Sequence, residues 1–200
     1  CEDASSVSRL FSSNQTEFLV AVISDGAGSA QYGATGAKIT STLFSKKAQK
    51  YIKKNNAIPS EEIIKEWIDD IRLSIQKKSI LRNIPIREFS STLVAVIVGE
   101  SSYITAHIGD GGIVGKYNTT SKWEVLSWPQ NGEYASTTFF ITDKKPNILT
   151  FKENKTLSSI GLFSDGLERL LLDFSKKSVA SKFFDSVSKE IIKMHGMGKN

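Results

Sequence analysis

The chain has 200 residues, of which 40% are apolar and 24% charged; that is enough for one domain with a sizeable core and excludes a disordered chain. No apolar run approaches the length of a membrane span, and a single cysteine excludes an internal disulfide framework and suits a reducing, cytoplasmic setting. The net charge of +5 is spread over two lysine-rich helical stretches, Lys46, Lys47, Lys50, Lys53 and Lys54, then Lys176, Lys177, Lys182, Lys189 and Lys193. These lack the interleaved aromatics or arginines of a nucleic-acid surface, so solvated helix faces are expected.

No signal-peptide pattern opens the chain. Cys1, standing in place of a methionine, is expected to be a passive residue with chain removed before it. "EFLVAVIS" at 17–24 reads as a buried strand, short, β-branched and bounded by a turn. From about Tyr32 to Asn55 the apolar spacing predicts a helix, with Ala37, Leu43, Phe44, Ala48, Tyr51 and Ile52 near one face. Ser60 followed by Glu61 and Glu62 is a helix start. That second helix runs to about Leu81 with Ile64, Trp67, Ile68, Ile71 and Ile75 inside, while Asp69 and Asp70 face solvent or pair between helices.

Beyond Pro85 the pattern turns to strands: 91–100, 102–109 and 112–118, with a hairpin turn at Gly99-Glu100-Ser101. Alternation predicts a strand at 122–128, and others are expected near 139–142, 147–151 and 158–164. Helical segments from about Leu167 to Asp173 and Lys177 to Met194 close the chain. A strand, two helices, a run of strands and terminal helices argue for an α+β fold with a largely antiparallel sheet.

One signature ends three of the predicted strands: Asp25-Gly26, Asp110-Gly111 and Asp165-Gly166. Asp-Gly is a favoured tight turn, which is one reading of each. The other is that rigid strand ends hold carboxylates out for a shared site. Carboxylates without histidine or cysteine beside them suit hard cations such as Mg²⁺ and Mn²⁺, and Glu2-Asp3 supplies two more acids. Two such ions can share a water, lower its pKa and hold it in line with a phosphorus atom. The glycines after Asp25 do not make a nucleotide loop, since Gln31 stands where G-x-G-x-x-G needs its last glycine and no Gly-Lys-Ser/Thr follows.

Six motifs in order carry a family likeness: "EDA" (Glu2–Ala4), "SDGAGS" (Ser24–Ser29), "SSTL" (Ser90–Leu93), "HIGDGG" (His107–Gly112), "GEYASTTFFIT" (Gly132–Thr142) and "FSDGL" (Phe163–Leu167). The chain resembles the type 2C metal-dependent Ser/Thr protein phosphatases, in particular their compact bacterial members. The resemblance implies two packed antiparallel β-sheets flanked by helices, in one phosphatase-like domain over residues 1–200 that is cut at both ends. It implies hydrolysis of phosphoserine and phosphothreonine by metal-activated water, with two Mn²⁺ or Mg²⁺ ions and room for a third. Asp25 would bridge two metals, the Gly26 carbonyl would bind one, and Asp165 would ligate the other. Glu2 and Asp3 would hold metal-bound waters or ligate weakly, and Asp110 with Asp165 would serve the third ion. A phosphorylated protein is the implied substrate and a Ser/Thr kinase a candidate partner. A monomer is expected, with no nucleic-acid or membrane partner.

The departures are specific. Ala27 stands where the family often has histidine or methionine, so no side chain there can act as general acid; water would protonate the leaving group, or the metals alone would help its departure. Gly111-Gly112 replace Ser-Arg. The family's phosphate-binding arginine lies before Cys1, leaving Arg9 and Arg87 as substitutes, and the chain stops at Asn200 before the family's last metal-ligand aspartate. A catalytically weak pseudophosphatase that binds phosphoproteins is the alternative. His107 is expected to be a packed residue, and His195 a helix C-terminal residue favoured by the dipole.

Overall fold

In the computed structural model residues 2–130 and 138–197 are described, with side chains to Met194. The chain opens with β1 (Ala4–Phe11) and β2 (Glu17–Ser24), followed by α1 (Gly33–Asn55) and α2 (Glu61–Arg82). A 3₁₀ turn at Ile86–Phe89 leads into β3 (Leu93–Val98), β4 (Tyr103–Ile108), β5 (Gly112–Tyr117) and β6 (Trp123–Ser127). Then come β7 (Leu149–Glu153), β8 (Leu157–Phe163), a 3₁₀ turn at Asp165–Leu167, α3 (Glu168–Leu171), β9 (Leu172–Asp173), β10 (Ser178–Val179) and α4 (Ser181–Met197).

Both long helices have the local chemistry to begin and end where they do. Ser60 accepts a hydrogen bond from the Ile63 amide (3.4 Å) at the start of α2, where Glu61 and Glu62 favour the positive end of the dipole. Asn56 and Asn83 close α1 and α2 in the left-handed conformation that asparagine tolerates. The predicted inner faces are the observed ones: Ala37, Phe44, Ala48 and Ile52 on α1 and Ile64, Trp67, Ile68, Ile71 and Ile75 on α2 are buried. Asp70 pairs with Lys47 across the two helices at 2.5 Å.

The strands form an antiparallel five-stranded sheet, β1-β2-β3-β4-β7, and an antiparallel three-stranded sheet, β6-β5-β8. Period-two alternation gives the larger sheet two apolar faces. Val20, Val22, Ala95, Ile97, Ile104 and Ala106 pack into one core with α1 and α2. The opposite face meets the small sheet, where Nδ1 of the fully buried His107 lies 2.7 Å from the Ser127 hydroxyl. The far side of the small sheet has its own core, in which Val114, Trp123 and Phe163 pack with Leu171, Leu172 and Phe184. Gly161 keeps α4 close, because a Cβ there would sit 2.8 Å from the Phe184 ring. The layers therefore run helix, sheet, sheet, helix, the α+β sandwich that the motifs imply.

Three expectations are corrected. Strand β1 was not expected, and it pairs with β2 along its whole length. Residues 139–142 form no strand: the Ile141 amide donates to the Ser91 carbonyl (2.9 Å) and the Phe140 amide to Asp143 (2.9 Å), which makes a turn. The helix expected to Asp173 stops at Leu171, and Leu172–Asp173 pair with Ser178–Val179 instead. Asp173 stabilises that hairpin by accepting from the amides of Ser175 and Lys176. The stretch 131–137, which holds the first part of "GEYASTTFFIT", and the side chain of His195 lie outside what is described.

Candidate active site

Register alone builds most of the site. Ala4 pairs with Ser24 at the end of the β1–β2 ladder, so the next residues out, Asp3 and Asp25, are neighbours. Gly112 pairs with Phe163 at the end of the β5–β8 ladder, so Asp110 and Asp165 leave the small sheet side by side. Each sheet thus ends in a pair of carboxylates, and the packing of sheet on sheet brings the pairs together. The result is an open cavity of about 930 Å³ lined by Glu2, Asp3, Asp25, Asp110, Asp165 and Glu168, with Gly26, Ala27, Gly28, Ser29, Thr92, Thr138, Phe140, Ser164 and Gly166.

Six carboxylates line this space, and among the described residues no lysine, arginine or histidine does. The electrostatic consequence falls on Asp25. Burial, a hydrogen bond with Asp3, and the charges of Asp3, Asp165 and Asp110 push its carboxyl up to about 7. Burial and the nearby Asp110 and Asp165 also raise Glu168, against the opposing charge of Arg169.

The backbone around Asp25 is fixed from both sides. The Thr92 amide donates to the Asp25 carbonyl (2.8 Å), and the Asp25 amide donates to the Thr92 hydroxyl (2.9 Å). The Gly26 amide donates to the Glu2 carbonyl (3.2 Å), and the Ala27 amide to the Ser90 carbonyl (2.9 Å). Gly26 is needed for close approach, since a Cβ there would lie 2.3 Å from the carbonyl carbon of Gly33 at the start of α1. On the other side of the cavity Gly109 has φ +114°, a left-handed turn that aims Asp110 inward, and the Thr138 hydroxyl donates to Asp110.

All six residues that the resemblance assigns to metal binding, Glu2, Asp3, Asp25, Gly26, Asp110 and Asp165, line this one cavity. Arg9 and Arg87 do not: Arg9 is an exposed partner of Glu17 (2.5 Å) on the β1–β2 ribbon, and Arg87 is exposed beside Glu88. Neither of these candidate substitutes for a phosphate-binding arginine therefore stands at the site. Arg9→Ala and Arg87→Ala should leave KM for an aryl phosphate unchanged, and steady-state kinetics of the two variants would check it. Sequence reasoning missed Thr92, Thr138 and Glu168. Threonine at a strand end is ordinary sheet composition, and nothing local distinguishes Glu168 from a first-turn helix acid.

The donor set fits hard divalent cations. It is all oxygen, strongly negative, and without an internal counter-charge. Among the described residues no three such side chains are already drawn together tightly enough to hold an ion as they stand. Mutual repulsion of carboxylates opposes a tighter arrangement.

The family model for protein phosphatase 2C matches residues 1–196. The serine/threonine-protein phosphatase 3 of Escherichia coli K12 is 25% identical over 186 residues, covering 92% of this chain and 73% of that protein. Two solved folds are similar, each with a TM-score of 0.63. A bacterial serine phosphatase is 19% identical over 86% of this chain and 75% of its own. A serine/threonine phosphatase from Staphylococcus aureus is 18% identical over 97% of this chain and 84% of its own. The chain belongs to the protein phosphatase 2C family of serine/threonine phosphatases.

Proposed function

We propose that the chain hydrolyses phosphoserine and phosphothreonine on protein substrates in a divalent-cation-dependent reaction centred on Asp25 and Asp165. The observation that carries this reading is the convergence of six carboxylates, from both sheets and from the 3₁₀ turn and helix beyond β8, on one cavity with no cationic side chain among the described residues. Asp25, the Gly26 carbonyl and Asp165 would hold the ions, with Glu2 and Asp3 around them and Asp110 beside Asp165 for a third. Mn²⁺ or Mg²⁺ held there supplies positive charge for the phosphate oxygens and lowers the pKa of the attacking water.

The protein's own groups do the rest. Asp25 is presented by a backbone bonded to Thr92 on one side, and Gly26 by a bond to Glu2. The Thr138 hydroxyl orients the Asp110 carboxylate. Ala27 brings no proton donor to the leaving group, so that proton comes from solvent, for which the open cavity leaves room. Phosphorylated proteins, with the kinases that make them as functional partners, are the proposed substrates. No helix among the described residues is long and apolar enough to cross a membrane, and the single cysteine suits a reducing compartment.

The test is hydrolysis of an aryl phosphate and a phosphothreonine peptide with and without Mn²⁺. Turnover should require the ion and fall by at least ~100-fold in both Asp25→Ala and Asp165→Ala, the upper range for losing a residue that only orients a ligand. Hydrolysis that survives both changes would overturn the site. Wild-type protein that neither turns over nor binds Mn²⁺ would leave a phosphoprotein-binding role in its place.

A further inference from the structure

A buried side chain, Thr92, bonds the Asp25 backbone and also approaches Gly109, the residue before Asp110. The β2–β3 ladder is regular up to Ile23 opposite Val94, and a bridge resumes it at Gly26 opposite Ser91. At the position between them, Asp25 opposite Thr92, one ladder bond is kept: the Thr92 amide donates to the Asp25 carbonyl (2.8 Å). The bond expected in return, from the Asp25 amide to the Thr92 carbonyl, is replaced. The Asp25 amide donates to the Thr92 hydroxyl (2.9 Å), and the Thr92 carbonyl accepts from the Ser24 hydroxyl (2.5 Å). Two hydroxyls therefore stand in for one backbone bond where the strand turns the Asp25 side chain into the cavity. The same Thr92 also meets the other sheet connection, since its Cγ2 would lie 2.6 Å from a Cβ on Gly109, the residue that turns the chain toward Asp110.

Resting on the reading of the site given above, we infer that Thr92 is a positioning residue for divalent-cation binding: its hydroxyl sets the Asp25 backbone and its methyl sets the distance to the Gly109–Asp110 turn. A packing role alone would be served by any β-branched residue of the same shape. A positioning role needs the oxygen, because valine in its place removes the acceptor of the half-buried Asp25 amide.

The experiment uses the full chain, calorimetric titration with Mn²⁺, and thermal denaturation of each variant without metal. Thr92→Val keeps the shape and loses the oxygen; Thr92→Ser keeps the oxygen and loses the methyl; Ser24→Ala removes the second hydroxyl. We expect Thr92→Val to weaken Mn²⁺ binding by about 10–100-fold, as loss of a partner that orients a ligand does. Thr92→Ser should recover most of that affinity, and Ser24→Ala should weaken binding in the same direction even if Thr92→Val does not fold. Wild-type affinity in both Thr92→Val and Ser24→Ala would overturn the inference, as would a Thr92→Ser variant that loses as much as Thr92→Val. Asp25→Ala separates the two levels. If it abolishes binding while the hydroxyl variants bind normally, only the inference about Thr92 fails. If the wild type binds no Mn²⁺, the reading of the site fails with it.

Discussion

Asp25→Asn should make the metal-free protein more stable at pH 8 and at the same time abolish its metal-dependent turnover. Burial and the charges of Asp3, Asp165 and Asp110 raise the Asp25 carboxyl from 3.8 to about 7 in the folded chain. The folded state therefore holds its proton more tightly than the unfolded state does. The contribution to stability is complete below pH ~4 and is lost as the pH rises through about 7. Asparagine carries no charge to lose, and its amide can donate to the Asp3 carboxylate. The difference in Tm between Asp25→Asn and wild type should therefore be near zero at pH 4 and grow to pH 8. Asp25 is only half-buried, so solvent screens most of the repulsion; the gain expected at pH 8 is about 1 kcal/mol, or ~2–4 °C for a chain of this size. Comparing variant with wild type matters, because Glu153 and Asp173, both held at about 2, act in the opposite sense and lose stability as the pH falls below the unfolded carboxylate range.

Divalent ions should reverse that order. Binding needs the deprotonated carboxylate, so the rise in wild-type Tm on adding Mn²⁺ should be small at pH 5 and large at pH 8, and Asp25→Asn should show little of it at either. Thermal melts at three pH values with and without Mn²⁺ would check both halves. A variant no more stable than wild type at pH 8 would mean that the carboxylates do not strain one another.

What the sequence made legible follows from where each signal lives. Apolar spacing located α1 and α2 because the inner residues, from Phe44 to Ile75, are packed on one face and carry the period themselves. Strand β1 went unseen because its alternation is carried by serines: Ser6 and Ser8 face α1, where they meet Ser45 and Gln49, while Val7 and Phe11 stand exposed. Apolar periodicity has no hold on such an edge strand. The opposite error occurred at 139–142, where an apolar run looks like a strand but spends its amides on Ser91 and Asp143.

The three Asp-Gly steps were visible as residues, and a shared site was expected from their common signature and the family likeness, but the pairing that brings them together was not visible locally. Asp110 and Asp165 become neighbours through a β5–β8 pairing whose partners are about 50 residues apart in the chain, and no local pattern encodes that register. Thr92 and Thr138 were hidden for the same reason. Each acts through one bond to a distant backbone or carboxylate, while its own neighbourhood reads as ordinary strand or loop.

The glycines beside the aspartates should separate sharply on substitution, although their motifs look alike. Gly26→Ala places a Cβ 2.3 Å from the Gly33 carbonyl carbon and 2.7 Å from the Ala34 amide. Both are backbone atoms in the first turn of α1, which is itself packed into the main core, so neither can give way cheaply. The expected cost is about 3 kcal/mol, the upper end for overpacking a close-packed interior, or a fall of ~6–12 °C in Tm. Gly36→Ala should be at least as damaging, since its Cβ would lie within 2.0 Å of the Phe89 carbonyl oxygen. A Cβ on Gly166 meets nothing within 4 Å, so Gly166→Ala should melt within about 0.5 kcal/mol of wild type. Because Gly166 nonetheless lines the cavity, any turnover lost in that variant reports on the site and not on the fold. Denaturant melts of the three variants, run beside the Mn²⁺-dependent assay, would test this; a Gly26→Ala protein as stable as wild type would show that α1 does not hold the Asp25–Gly26 turn in place.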